Sequence, residues 1–271
     1  MSARVDIAPA SPRLHLQMLH RIGTLTMDVE FALTQPWTVL FGPSGSGKST
    51  ILRAIAGLVR PDSGRISWRS AIPPRSLASA AFTVFDSSAK KLMPAYTRGI
   101  PLAPQAASLF PHRTVMENVA YGRRLEGDAR GGAIDETLSL FRIGHLAGKR
   151  PVELSGGEAQ RVNLARAAVA AQADGLLLLD EPFSGLDVAL RSGLMSDLHA
   201  WAASRNLCVL SVTHDVAEAF QLGAEVVKIA DGRVVEQGPV ESVLTEERRR
   251  LLEQLGVGDG DTASSEPYLS G

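Results

Sequence analysis

The nine residues Gly42-Pro43-Ser44-Gly45-Ser46-Gly47-Lys48-Ser49-Thr50 constrain this chain more than any other stretch. They follow Val39-Leu40-Phe41, a short apolar run that reads as a buried strand. They lead into Ile51, Leu52, Ile55, Leu58 and Val59, which share one face of a helix expected over Lys48 to Val59. The first eight match G-x-x-x-x-G-K-[ST] in full. Glycines can take positive φ, so several backbone N–H groups can converge on one anion. The helix starting near Lys48 adds its positive dipole end at the same point. Lys48 is expected to reach the β- and γ-phosphates of a nucleotide, and Ser49 to ligate Mg2+ through its hydroxyl. A chance lysine in a glycine-rich turn would not need to sit between a strand and an amphipathic helix.

A second element fits the first. Leu176-Leu177-Leu178-Leu179-Asp180-Glu181 is a hydrophobic strand ending in two acids. A strand buried on both faces gains nothing from adjacent carboxylates beyond capping the turn before Pro182. Beside a complete phosphate loop, Asp180 is expected to hold Mg2+ directly or through water, and Glu181 to orient an attacking water.

The rest of the chain alternates strand and helix, which argues an α/β fold with a mostly parallel sheet. Arg65 to Trp68 begins a strand, and residues 69–99, rich in Ser, Ala and Pro, show no readable elements. Thr114 to Gly148 is helical, with Thr114-x-x-Glu117 as a cap. Further helices are expected over Ser155 to Ala171 and Val188 to Ser204, and a buried strand over Leu207–Thr213. Asp231-Gly232 joins Val226–Ala230 to Arg233–Glu236 as a hairpin. The stretch of about 105–170 reads as an inserted helical subdomain. The tail Gly256–Gly271 reads as disordered.

Composition narrows the partners. Hydrophobic residues are 45% and charged residues 21% of 271, with net charge −1, so no overall field draws the chain to nucleic acid or an acidic membrane. Arg248–Arg250 reads as a solvated helix face. The single cysteine, Cys208, lies in an apolar run and reads as a buried thiol in a reducing compartment. Met1 to Arg13 has no apolar h-region. The longest aliphatic run, Leu176–Leu179, is far too short to span a bilayer, so any membrane span must come from other chains.

Leu154-Ser155-Gly156-Gly157-Glu158-Ala159-Gln160-Arg161 supplies a third motif. Ser155 and Glu158 form a capping box at a helix start. Capping does not explain two consecutive glycines, which cost helix stability. They make sense if backbone N–H groups must approach another phosphate. On these motifs the chain, from Leu14 to Val243, resembles the ATP-binding cassette (ABC) ATPases. Leu154–Gln160 is similar to the family signature, and Gln105 to the glutamine joining the core to the helical subdomain. Ser184-Gly185-Leu186-Asp187 is similar to the loop after the second carboxylate, and His214 to the histidine that meets the γ-phosphate.

The resemblance implies a P-loop NTPase core with an N-terminal antiparallel β region and an inserted helical subdomain. It implies ATP and Mg2+ as ligands, Gln105 beside Ser49 and Asp180 at the metal, and catalytic roles for Lys48, Gln105, Glu181 and His214. It also implies a head-to-tail pair of copies. Each nucleotide would lie between Gly42–Thr50 of one copy and Ser155, Gly156 and Gly157 of the other, with Asp187 alongside. Many members stack adenine on an aromatic residue, but Leu14–Arg21 has none, so His15, His20, Leu16 or Leu19 is expected to serve.

Ser108-Leu109-Phe110-Pro111-His112-Arg113-Thr114-Val115-Met116-Glu117-Asn118-Val119-Ala120-Tyr121-Gly122 resembles the importer branch, where this region receives a membrane subunit. Part of it is expected to be core and part docking surface. The implied partners are integral membrane permease subunits and, indirectly, an extracytoplasmic solute-binding protein, with no nucleic acid. The implied location is the cytoplasmic face of a membrane. Gly23-Thr24-Leu25-Thr26 and the compact N-terminus resemble the molybdate importer ATPases, with sulfate and other oxyanion importers close alternatives. The branch often carries a C-terminal β-barrel domain, for which the residues after Val243 are expected to be too few; a C-terminal helix is expected there instead. An exporter subunit and a soluble cassette ATPase acting on DNA or ribosomes are the competing classes. The latter usually has two cassettes in one chain and basic surfaces.

Overall fold

A computed structural model describes residues 13–69, 81–121, 128–223 and 225–254. Two kinds of strand divide its sheet. Leu14–Ile22 (β1) and Leu25–Leu33 (β2) alternate, with Leu14, Leu16, Met18, Met27, Val29, Phe31 and Leu33 buried and the residues between them facing outward or half-buried. They pair antiparallel, Leu14 opposite Leu33, around Gly23. Trp37–Phe41 (β3) is instead buried at every residue. Ser63–Arg69 (β4) pairs antiparallel with β1, Ala81–Asp86 (β5) with β4, and Lys91–Leu92 (β6) with β5.

Leu102–Ala103 (β7), Leu176–Asp180 (β8) and Cys208–Thr213 (β9) run parallel to one another, and β9 runs parallel to β3. β8 and β9 are buried throughout, as parallel strands covered on both faces are. Glu225–Ala230 (β10) is parallel to β3, and Arg233–Pro239 (β11) turns back on β10 through Asp231-Gly232. β11 meets β2 at Arg233 and Asp28, closing both halves into one eleven-stranded sheet, ordered β6-β5-β4-β1-β2-β11-β10-β3-β9-β8-β7.

Helices cover the faces. Lys48–Ala56 (α1) lies on one, with Ile51, Leu52 and Ile55 packed in a cluster with Leu176, Leu178, Leu210 and the inner residues of β1 and β2. Ala95–Arg98 (α2) is a single turn. Val115–Tyr121 (α3), Asp128–Leu140 (α4), Gly156–Ala170 (α5) and Val188–Ser204 (α6) add to the other cluster, with Leu177, Leu179 and Val209. Successive leucines of β8 thus serve opposite faces, the period-two rule at work. Val216–Leu222 (α7), Val240–Val243 (α8) and Thr245–Gln254 (α9) complete the order.

Most expected elements are present. α1, however, stops at Ala56 rather than Val59. Gly57 takes φ 85 and the Leu58 amide turns back to the Arg53 carbonyl, which leaves Leu58 64% exposed. The unread stretch 69–99 contains the end of β4, then β5, β6 and α2, and its residues 70–80 lie outside the described ones. So do residues 1–12 and the tail Gly256–Gly271. Cys208 is buried, and burial pushes its thiol up to about 12, as an inert core thiol requires. Among the described residues no helix is long and apolar enough to cross a membrane.

The back of α1 is held by Arg98. Its buried guanidinium donates to the carbonyls of Ala54 at 2.9 Å, Ile55 at 2.8 Å and Met93 at 2.9 Å. A cation thus sits on the negative end of the helix. Burial lowers the Arg98 pKa to about 10.

Candidate nucleotide site

The site forms where β3, β8 and β9 end. Gly47 caps α1 in the left-handed conformation, φ 97, with no side chain on the first-turn amides and no acid in that turn. Those amides are open to an anion. Two glycines are required here, Gly42 by close approach of backbone and Gly47 by its left-handed φ. A Cβ on Gly42 would strike the Ile229 carbonyl oxygen, and one on Gly47 would lie 2.5 Å from the Met27 sulfur.

Lys48 lies buried across the loop it belongs to. Its Nζ donates to the carbonyls of Gly42 at 2.8 Å and Pro43 at 2.7 Å, and to Ser46 Oγ at 3.3 Å. Burial lowers its pKa, and Glu181 and Asp180 partly restore it. The ammonium is thus already gathered at the loop's inner surface.

Asp180, the last residue of β8, accepts from Ser49 Oγ at 2.9 Å. Burial raises its pKa, while the Ser49 hydroxyl, Arg53 and Lys48 oppose that rise. A buried carboxylate beside a hydroxyl is a donor set suited to Mg2+. Glu181 has φ 46, and its amide donates to the Val212 carbonyl at 3.0 Å. That left-handed residue ends the strand. The Glu181 carboxylate accepts from Gln105 Nε2 at 2.9 Å on one oxygen, and lies 3.2 Å from His214 Nδ1 on the other.

Of the predicted residues Lys48, Ser49, Gln105 and Glu181 line one cleft, with Asp180 and His214 bonded behind Ser49 and Glu181. The cleft is about 360 Å³ and is lined by Ser44, Gly45, Gly47, Thr50 and Val212 among others. Its wall also includes Ile22 and Leu25, at the β1–β2 turn, which sequence reasoning missed. The four residues named for the adenine do not line it. Leu16 is fully buried in the core, His15 lies 3.4 Å from Glu30, and His20 lies 3.5 Å from Asp62. Two aliphatic residues flanking a turn were the available signal.

Ser155, Gly156, Gly157 and Asp187 are not brought to this cleft. Ser155 caps α5, with its amide donating to Glu158 at 2.7 Å and its hydroxyl accepting from the Glu158 amide at 3.3 Å. The Ser155 amide and the Ser155 hydroxyl, which also donates to the carboxyl at 2.9 Å, hold the Glu158 carboxyl below the usual range. Asp187 caps α6 by accepting from the Leu190 amide at 2.9 Å. Gly157 packs below Leu186, but a Cβ on Gly156 would meet nothing within 4 Å.

A glycine loop at a strand–helix junction and a strand-end acid pair at its side define a phosphate-loop nucleotide cassette. A family model described as ABC transporter matches residues 27–184. The chain is 37% identical over 261 residues to the molybdenum import ATP-binding protein ModC of Mesorhizobium japonicum, covering 96% of this chain and 64% of that relative. It is also 37% identical over 239 residues to the molybdate/tungstate import ATP-binding protein WtpC of Archaeoglobus fulgidus, covering 88% and 91% of the two chains. A solved bacterial ABC transporter cassette, MJ0796, described as dimeric, superposes with TM-score 0.66 and 25% identity over 84% of this chain and 98% of that one. The chain belongs to the ABC transporter family.

Proposed function

We propose that this chain binds ATP and hydrolyses it as the energy-coupling subunit of an ABC importer for molybdate or a related oxyanion. The observation that carries the reading is the set Lys48, Ser49, Gln105 and Glu181 around one cleft, with Asp180 and His214 bonded behind it. The names borne by ModC and WtpC support the solute.

Backbone amides of Gly42–Thr50 hold the phosphates, and Lys48 shifts from the loop carbonyls to the β- and γ-oxygens. Ile22 and Leu25 cover the base. Ser49, Asp180 and Gln105 would hold Mg2+, which when bound would supply positive charge beside the phosphate oxygens. Glu181, steered by Gln105 and His214, orients the water for in-line attack. His214, with a side chain 61% exposed, is free to turn to the γ-phosphate. A second copy then brings Ser155, Gly156 and Gly157 over the same nucleotide, and hydrolysis loosens the pair.

The membrane partner is a permease pair, met at the cytoplasmic face. Its seat is the segment Ser108–Tyr121. Val115 and Val119 are buried and anchor that segment, while Met116 and Tyr121 are 44% and 57% exposed. The Phe110 ring lies tilted 4.5 Å from that of Tyr121, with the Arg113 guanidinium over both rings. Co-purification with integral membrane subunits separates this reading from a soluble cassette ATPase, and ATP-dependent molybdate uptake by the reconstituted complex separates import from export.

The direct test is Glu181→Gln. It should bind ATP, turn over about a hundredfold more slowly, and run as an ATP-dependent dimer on size exclusion. A variant that hydrolyses normally, or stays monomeric with ATP bound, overturns the reading.

A further inference from the structure

α5 does more than present Ser155–Gly157. Two buried amides on its first turns reach into the hydrolytic half of the same chain. Asn163, fully buried, donates through Nδ2 to the Pro104 carbonyl at 2.8 Å. Pro104 is the residue immediately before Gln105, and the segment before it is paired to β8 through Pro101, Leu102 and Ala103. Gln160, also buried, donates to the Pro182 carbonyl at 3.4 Å, one residue after Glu181. One helix therefore holds the chain on both sides of the Gln105–Glu181 contact.

The Asn163 amide is committed at both ends. Its Oδ1 accepts from Arg166 Nη2 at 3.2 Å, and the Arg166 guanidinium lies 5.6 Å from the Phe110 ring. Burial lowers the Arg166 pKa, so it is a desolvated cation held between an amide and an aromatic face. A buried asparagine satisfied on both its donor and acceptor sides has one orientation, because turning it would face nitrogen to Arg166 and oxygen to the Pro104 carbonyl. Such a side chain fixes its partners.

We propose that Asn163 is a positioning residue that sets Gln105 against Glu181, so that the helix starting at Ser155–Gly157 and the hydrolytic pair of the same chain move as one body. The inference rests on the reading of Gln105 and Glu181 given above. Closure of a second copy on Ser155–Gly157 shifts α5, and α5 carries the Pro104 and Pro182 carbonyls with it. Each copy thereby registers at its own cleft that the opposite cleft has closed. Gln105 and Phe110 lie on one short stretch, so the same amide also links Gln105 to the segment proposed for docking.

The test is a double-mutant cycle. Asn163→Ala should lower kcat about tenfold, with KM for ATP within about twofold, because positioning is lost and binding is kept. In a Gln105→Ala background the same substitution should have no further effect on kcat. Equal and multiplicative losses in both backgrounds would overturn the proposal, as would a rise in KM with kcat unchanged. Asn163→Asp, which keeps the Arg166 contact and loses the donor to Pro104, should match Asn163→Ala if the Pro104 bond matters. A second measurement needs no hydrolysis. The Gln105 side-chain amide resonance should move in Asn163→Ala and Asn163→Asp without loss of the folded spectrum. An unmoved Gln105 resonance sinks the proposal, whereas a wild-type chain that fails to hydrolyse ATP sinks only the functional reading.

Discussion

The two anion-facing loops of this chain are built in opposite ways. At Gly42–Thr50 the charged and metal-facing side chains are engaged within the chain, while the first-turn amides of α1 stay open. Lys48 is gathered onto three oxygens of its own loop, Ser49 is bonded to Asp180, and Glu181 is held from both sides. Gly42 is a glycine because the Ile229 carbonyl leaves no room for a Cβ, and Gly47 because its backbone is left-handed at φ 97. At Ser155–Gly157 the helix is capped by its own side chains, yet Gly156 faces open space. The first loop is explained by what surrounds it. The second contains a residue whose identity nothing in its own chain requires, among the described residues. The contrast teaches that the first loop's shape is set within its own chain, whereas Gly156 answers to nothing there among the described residues.

The sharpest way to break that contrast is to charge or empty each loop. Lys48→Ala should remove hydrolysis and weaken nucleotide binding by about a hundredfold, since a buried charge-assisted contact is lost. Ser155→Arg should remove hydrolysis as completely, yet leave nucleotide binding to the separate chain within about twofold, because it acts across the pair. Calorimetric titration with ATP beside a phosphate-release assay distinguishes them. Equal losses of binding in both would end the contrast.

A smaller effect separates the glycines. Gly42→Ala should destabilise the fold by about 2–4 kcal/mol, through backbone collision and strain. Gly156→Ala should stabilise the separate chain by about 0.5 kcal/mol, since alanine is the better helix former, and should still slow turnover. Urea midpoints measured on both variants decide this. A destabilised Gly156→Ala would mean that the second loop is packed after all.

A pH-dependent effect comes from a buried acid near Glu181. Glu218, on α7, is buried with Oε1 unpartnered. Burial is the main cause that raises its pKa from 4.5 to about 7, with the Asp215 and Glu181 charges adding and the Thr213 hydroxyl and Arg191 opposing. The folded chain therefore holds this proton more tightly than the unfolded one. The resulting stability is fully present below about 4.5 and is lost as pH rises to about 7. Glu218→Gln should flatten that slope, by on the order of 2 kcal/mol across the window. Denaturant midpoints at the two ends of the window measure it, and an unchanged slope would assign the dependence to other groups.

Much of the first loop was legible because its chemistry is local. A strand, a glycine run and an apolar helix face are contiguous, and Leu176–Asp180 is a continuous aliphatic run that stops on an acid. The meeting of Gln105, Glu181 and His214 was reached only through family likeness, because 76 and 33 residues separate the partners in sequence. Ile22 and Leu25 were missed for the same reason. They reach the cleft only when the antiparallel flank folds beside α1. β6 is two exposed residues long and leaves no periodic signal. The end of α1 was misplaced because Leu58 matches the helical period, while Gly57 turns the chain away before that residue can be buried.

Arg98 gives α1 a further property. An anion arriving at the first turn and the guanidinium at the last turn occupy opposite poles of one nine-residue dipole. Each strengthens the hold on the other, with no moving part between them. The two charges face each other along a helix about 14 Å long, so its ends are electrostatically matched rather than independent.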